Sequence, residues 1–168
     1  NGALQLSKDL NTTFNFFQEV DTNSTRSYHI NQYQMAKQYL NEKQSSFAVN
    51  FHSAYLFYPF NDPHGKVNSG IATFSKYKIE SSTRYSFDVS KDFSKFFDLD
   101  RCFSVPYVNM NNGKKLALIN LHMSAYDKGG VIRAKQMKQL EAFLSNLKEE
   151  NCYVIAGGDF NHDLITYN

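Results

Sequence analysis

Residues 101–123 read RCFSVPYVNM, then NNG, then KKLALINLHM. Two apolar runs flank Asn112-Gly113, a pair that tolerates positive φ at both turn positions and is the strongest short-range hairpin signal. The segment predicts strands over 101–110 and 114–123 joined by a turn at 111–113. Downstream, VIRAKQMKQLEAFLSNLKEE (131–150) sets Ile132, Met137, Leu140, Phe143, Leu144 and Leu147 at helical spacing, with Lys, Gln and Glu between them. CYVIAGG (152–158) then reads as a wholly apolar, buried strand, followed by DFNHD. A sheet built on hairpins, with an amphipathic helix to lay on it, is an α/β layered architecture.

The upstream half extends this pattern. Residues 3–12 place Ala3, Leu4, Leu6 and Leu10 on a loose helical face. FNFFQEV (14–20) is strand-like, 21–29 is a polar loop, and INQYQMAKQYLNEK (30–43) has helical spacing. FAVNFHSAYLFY (47–58) returns to strand composition, and PFNDPHGKVNSG (59–70) reads as a loop punctuated by Pro and Gly. GIATFS (70–75) and YKIESSTRYSFDV (77–89) predict two more strands, while KDFSKFFDLD (91–100) is ambiguous. No repeat or linker interrupts the chain.

Composition sets the outer bounds. The 168 residues are 42% hydrophobic and 20% charged, which suits one packed domain and argues against a disordered or fibrous chain. Lys and Arg total 18 against 16 Asp and Glu, so the net charge of +2 gives no strongly basic nucleic-acid footprint. The 15 Phe and 11 Tyr suit β-rich cores. Cys102 and Cys152 form neither a disulfide framework nor a zinc set and read as buried thiols. No run of about 18 apolar residues offers a membrane-spanning helix. The opening NGALQLSKDL lacks the pattern of a signal peptide.

Three polar clusters each follow the end of an apolar strand: Gln18-Glu19, His122, and Asp159 with Asn161. Rigid strand ends are where sites are usually built. DFNHD opens like a calcium loop, but Leu164 stands where that loop needs glycine, so an EF-hand is rejected. Gly157 and Gly158 permit a sharp turn just before Asp159. Carboxylates for a hard cation, a group to aim water, and donors for developing charge are the parts phosphoester hydrolysis needs. Glu19, Arg101, His122, Asp159 and Asn161 supply those residue types.

FFQEVD (16–21), SGIATFSKYKI (69–79), LINLHMSAY (118–126) and AGGDFNHD (156–163) occur in this order. Together they resemble the successive motifs of the endonuclease/exonuclease/phosphatase superfamily, whose deoxyribonuclease I-like fold is an α/β layered β-sandwich flanked by helices. The resemblance implies a metal-dependent phosphoric ester hydrolase using Mg²⁺, or Mn²⁺ in its place. By it, Glu19 is a metal ligand and Asp159 orients or deprotonates the attacking water. Asn161 contacts phosphate, and His122 contacts phosphate or assists the leaving group. It gives Arg101 a phosphate contact, although a structural salt bridge is the plainer reading of that residue. Tyr126 would line the cleft or simply pack.

The chain departs from the family pattern at both ends. Neither the first strand with its metal-binding Asn nor the last strand with Ser-Asp-His has a counterpart. The expectation is therefore one partial domain over 1–168, with open sheet edges and little or no activity by itself. Substrate class stays open between nucleic acid, phospholipid and sugar phosphate, as diester or monoester. A nuclease wants a basic groove, for which the loops 21–29 and 59–69 offer Arg26, His64 and Lys66. A lipid or sugar-phosphate hydrolase wants aromatic lips, which SAYLFYPF (53–60) could supply if it is not core. The alternatives are a non-catalytic binding module on the same fold and a carbohydrate-binding β-domain. Nothing in the sequence points to a protein partner.

Overall fold

A computed structural model describes residues 2–56, 61, 65–89, 100–125 and 127–162. The elements run α1 (Gly2–Asp9), β1 (Phe14–Asp21), α2 (Gln32–Tyr39), β2 (Gln44–Leu56), β3 (Gly65–Ser75), β4 (Ile79–Ser86), β5 (Cys102–Asn109), β6 (Lys115–His122), α3 (Val131–Glu149) and β7 (Tyr153–Asp159). Two sheets form, of order β1-β3-β2 and β4-β5-β6-β7. All pairings are antiparallel except β6–β7, which is parallel and joined through α3, as a parallel pair requires.

Side-chain alternation assembles four layers. On β6, Ala117, Ile119 and Leu121 pack with Leu140 and Leu147 of α3. Leu116 and Leu118, on the other face, meet Val108, Phe14 and Phe16 between the sheets. Ala72 and Phe74 of β3 pack with Ala36 of α2 and with Leu40. Both faces of β6 are therefore covered, which is why LALINLH is so nearly continuous in apolar residues. The same period of two turns Asn120 and His122 inward, on the face of Leu116 and Leu118. The inner layer thus ends in polar groups at the strand ends.

The predicted hairpin forms, with Asn109 opposite Lys115 and Gly113 at φ +78°. Three expectations change. Residues 65–70 belong to β3 rather than to a loop, because Asn68 and Ser69 pair with His52 and Phe51 of β2. The second helix covers only Gln32–Tyr39, started by the Asn31 side chain accepting from the Gln34 N–H. Strand β7 is largely exposed rather than buried: Tyr153 is 45% exposed and Ile155 43%. Its single partner among the described residues is β6, so an apolar composition suited to a covered strand faces solvent. Cys102 is buried and Cys152 partly so, both as free thiols. The readings of 91–99 and His64, and residues 57–60 of SAYLFYPF, lie outside the described residues.

Candidate functional site

The ends of β6 and β7 carry the site. His122 stands opposite Asp159 in the parallel register. Its Nε2 lies 3.7 Å from Asp159 Oδ2. Two bonds latch the DFN turn to Met123, the residue that follows β6. The Met123 N–H donates to the Asp159 carbonyl at 2.9 Å, and Asn161 Nδ2 donates to the Met123 carbonyl at 2.8 Å. Asp159 Oδ1 also accepts the Asn161 backbone N–H at 2.8 Å, the side-chain turn that Asp favours. His122, Asp159 and Asn161 are thus brought together.

His122 is buried, and its pKa is pushed down to about 4. Burial is the main cause and the positive charge of Arg101 adds to it, while Asp159 pulls the other way. At neutral pH the imidazole is therefore uncharged, and its contact with Asp159 is a dipole near a carboxylate rather than an ion pair. Arg101 is itself buried, one residue before Cys102, which stands opposite His122 on β5. The structure so places Arg101 within the electrostatic reach of His122.

Glu19 sits apart, on β1. The pairing of β1 with β3 slips between Phe17 and Val20, so Gln18-Glu19 forms a bulge with one extra residue. Glu19 takes φ +53°, the left-handed region that such bulges usually give to glycine. Glu19 as a whole is exposed. The bulge is tied to the inner layer through Gln18, whose Nε2 donates to Asn120 Oδ1 at 2.7 Å. Asn120 Nδ2 in turn lies 3.1 Å from the Ala72 carbonyl. Tyr126 lies outside the described residues. Arg26, read as a groove cation, instead donates two bonds to the buried Asp21 carboxylate, at 3.0 and 2.9 Å.

A left-handed glutamate costs about 1–2 kcal/mol, and strain of this kind persists where function holds it. Glu19→Gly should therefore raise stability by about 1 kcal/mol, part of the relief being lost to the glycine's greater unfolded-state freedom. The urea midpoint reads this directly. A lowered midpoint would show that the Glu19 side chain stabilises the bulge and that no strain is stored there.

Sequence reading missed Asn50 and Asn120, both buried to 2% exposure or less in the inner layer. Asn50 Nδ2 approaches His122 Nδ1 at 3.2 Å. The available signal was a lone amide inside an apolar run, in FAVNF and LALINLH.

Among the described residues no three His, Cys, Asp or Glu side chains gather into a metal cluster. Magnesium commonly takes one or two carboxylates and completes its shell with water and substrate oxygens. A single carboxylate on an exposed residue of a rigid bulge fits that donor set.

No protein-family model matches the sequence, and no curated protein matches it. Solved structures do. TDP2 from Caenorhabditis elegans is 16% identical and superposes with a TM-score of 0.68 over 96% of this chain and 41% of that one. ANGEL2, a 2′,3′-cyclic phosphatase, is 17% identical, with a TM-score of 0.67 over 96% of this chain and 43% of that one. Beta toxin 275-280 from Staphylococcus aureus is 23% identical, with a TM-score of 0.66 over 98% of this chain and 58% of that one. The chain therefore spans between 41% and 58% of the length of these structures. Two sheets, three flanking helices among the described residues and this likeness together give the chain the deoxyribonuclease I-like fold.

Proposed function

We propose that the chain is the site-bearing part of a metal-dependent phosphoric ester hydrolase. One observation carries the reading: His122, Asp159 and Asn161 converge at adjoining strand ends, latched through Met123. The Asp159 side chain is 48% exposed, so water can reach it, and its free lone pairs can accept a proton from an attacking water. The neutral imidazole of His122 and the second amide hydrogen of Asn161 can donate to phosphoryl oxygens. Buried Arg101 adds positive potential at His122. Glu19 would hold the Mg²⁺ or Mn²⁺, which when bound screens phosphate charge and acts as a Lewis acid. One of the similar structures is named a 2′,3′-cyclic phosphatase, and a 2′,3′-cyclic phosphate is a phosphodiester. Nucleic-acid, lipid and sugar-phosphate substrates all meet these requirements.

The test is hydrolysis of bis(p-nitrophenyl) phosphate and p-nitrophenyl phosphate by the complete reading frame that contains this chain. Turnover should vanish with EDTA and return with excess Mg²⁺ or Mn²⁺. Turnover that survives thorough chelation, or none on either probe from folded protein, overturns the proposal.

A further inference from the structure

A buried amide in the inner layer contacts His122 and has no part in the proposed chemistry. Asn50, on β2, reaches across from the other sheet and is as buried as His122. Its Oδ1 accepts the backbone N–H of Cys102 at 3.0 Å. A backbone amide only donates, so this bond fixes which end of the Asn50 side chain is oxygen. Nδ2 is then the atom 3.2 Å from His122 Nδ1. An amide nitrogen also only donates, so Nδ1 must accept and the imidazole hydrogen must sit on Nε2. That nitrogen is the one facing Asp159.

We propose that Asn50 is a positioning residue that locks His122 in the Nε2–H tautomer, so that His122 offers a fixed hydrogen-bond donor to the site instead of a proton acceptor. Its use on a phosphoryl oxygen rests on the hydrolase reading above, whereas the tautomer does not. A carboxylate in the same place would do the opposite. It could only accept, would draw the hydrogen to Nδ1, and would leave Nε2 as a bare lone pair. Asn50→Asp, nearly isosteric, is therefore the sharp variant. Asn50→Leu removes the lock without adding charge.

The experiment is a long-range ¹H–¹⁵N correlation spectrum of the histidine side chains in the complete reading frame at neutral pH, with His122 assigned by its loss in a His122→Ala sample. The parent should show Nδ1 at the unprotonated position and Nε2 at the protonated one. Asn50→Asp should exchange the two, and Asn50→Leu should give averaged shifts. If Asn50→Asp does not fold, the parent spectrum and Asn50→Leu still decide the question. A parent with protonated Nδ1, or an Asn50→Leu spectrum identical to the parent's, overturns the proposal. In the hydrolysis assay, Asn50→Asp should lower kcat by about 10²-fold with KM changed far less, as loss of a transition-state donor would. Unchanged kcat with an exchanged tautomer overturns the donor role alone. A correct tautomer in a protein without turnover leaves the lock standing and removes only the hydrolase reading.

Discussion

His122→Ala should lower metal-dependent hydrolysis by about 10²–10⁴-fold, the range that one positioned proton-handling or donor group supplies. The loss should fall mainly on kcat, because a donor aimed at developing charge matters most in the transition state. The variant also leaves Asn50 Nδ2 without its imidazole partner inside the protein, since Asn50 is only 2% exposed. An unpaired buried donor costs about 1–3 kcal/mol, so some stability must fall with activity. His122→Gln separates the two effects. Its amide can still meet Asn50 and keep the fold, but it cannot place a ring N–H where Nε2 now stands. The assay is steady-state hydrolysis of a phosphodiester with thermal unfolding measured on the same samples. If His122→Gln were as active as the parent, His122 would be a structural residue, and the site would have to be sought around Asp159 and Asn161 alone.

The order of strands and helices was legible because its signals are local. Asn112-Gly113 fixes one hairpin, and helical spacing fixes α3. The polar ends of three apolar runs pointed to Glu19, His122, Asp159 and Asn161, and the last three do come together. What stayed hidden depends on neighbours far along the chain. YVIAGG has the composition of a strand covered on both sides, yet its exposure is set by how many strands flank it. The bulge at Gln18-Glu19 is one extra residue against β3, which is invisible without the pairing. Asn50 and Asn120 share a face with the core residues Ala48 and Leu118, two positions away. In strands buried on both faces, that phase cannot separate an inward amide from an outward one. Their partners, His122 and Gln18, lie 72 and 102 residues away.

Gly158→Ala should disable the same site without touching any functional side chain. Gly158 pairs with Leu121 in the parallel ladder, one step before Asp159 meets His122. It holds φ +142°, where side-chain-bearing residues are strained. A Cβ there would stand 2.0 Å from the Leu121 carbonyl oxygen and 2.9 Å from its carbonyl carbon. Those atoms are backbone in the covered strand β6, so no rotamer change relieves the clash. Either the ladder opens at this step or β7 swings away. Strain of about 1–3 kcal/mol and overpacking of about 1–3 kcal/mol then add to a loss of roughly 2–6 kcal/mol. Opening the ladder also moves Asp159 from its 3.7 Å approach to His122 and strains the latch to Met123. Hydrolysis should therefore fall even in samples that remain folded, since misplacement by about 1 Å can cost 10²-fold. The neighbouring glycine is the internal control. A Cβ on Gly157 would meet only the Phe16 ring, at 3.2 Å, and a side chain can give by a few tenths of an ångström. Gly157→Ala should cost under about 1 kcal/mol, within the range of a mild packing change. Urea midpoints and phosphodiester turnover of the two variants, measured side by side, decide the matter. Equal losses from both would mean that β7 is sensitive to any added bulk. The backbone contact between Gly158 and Leu121 would then not be what sets Asp159 in place.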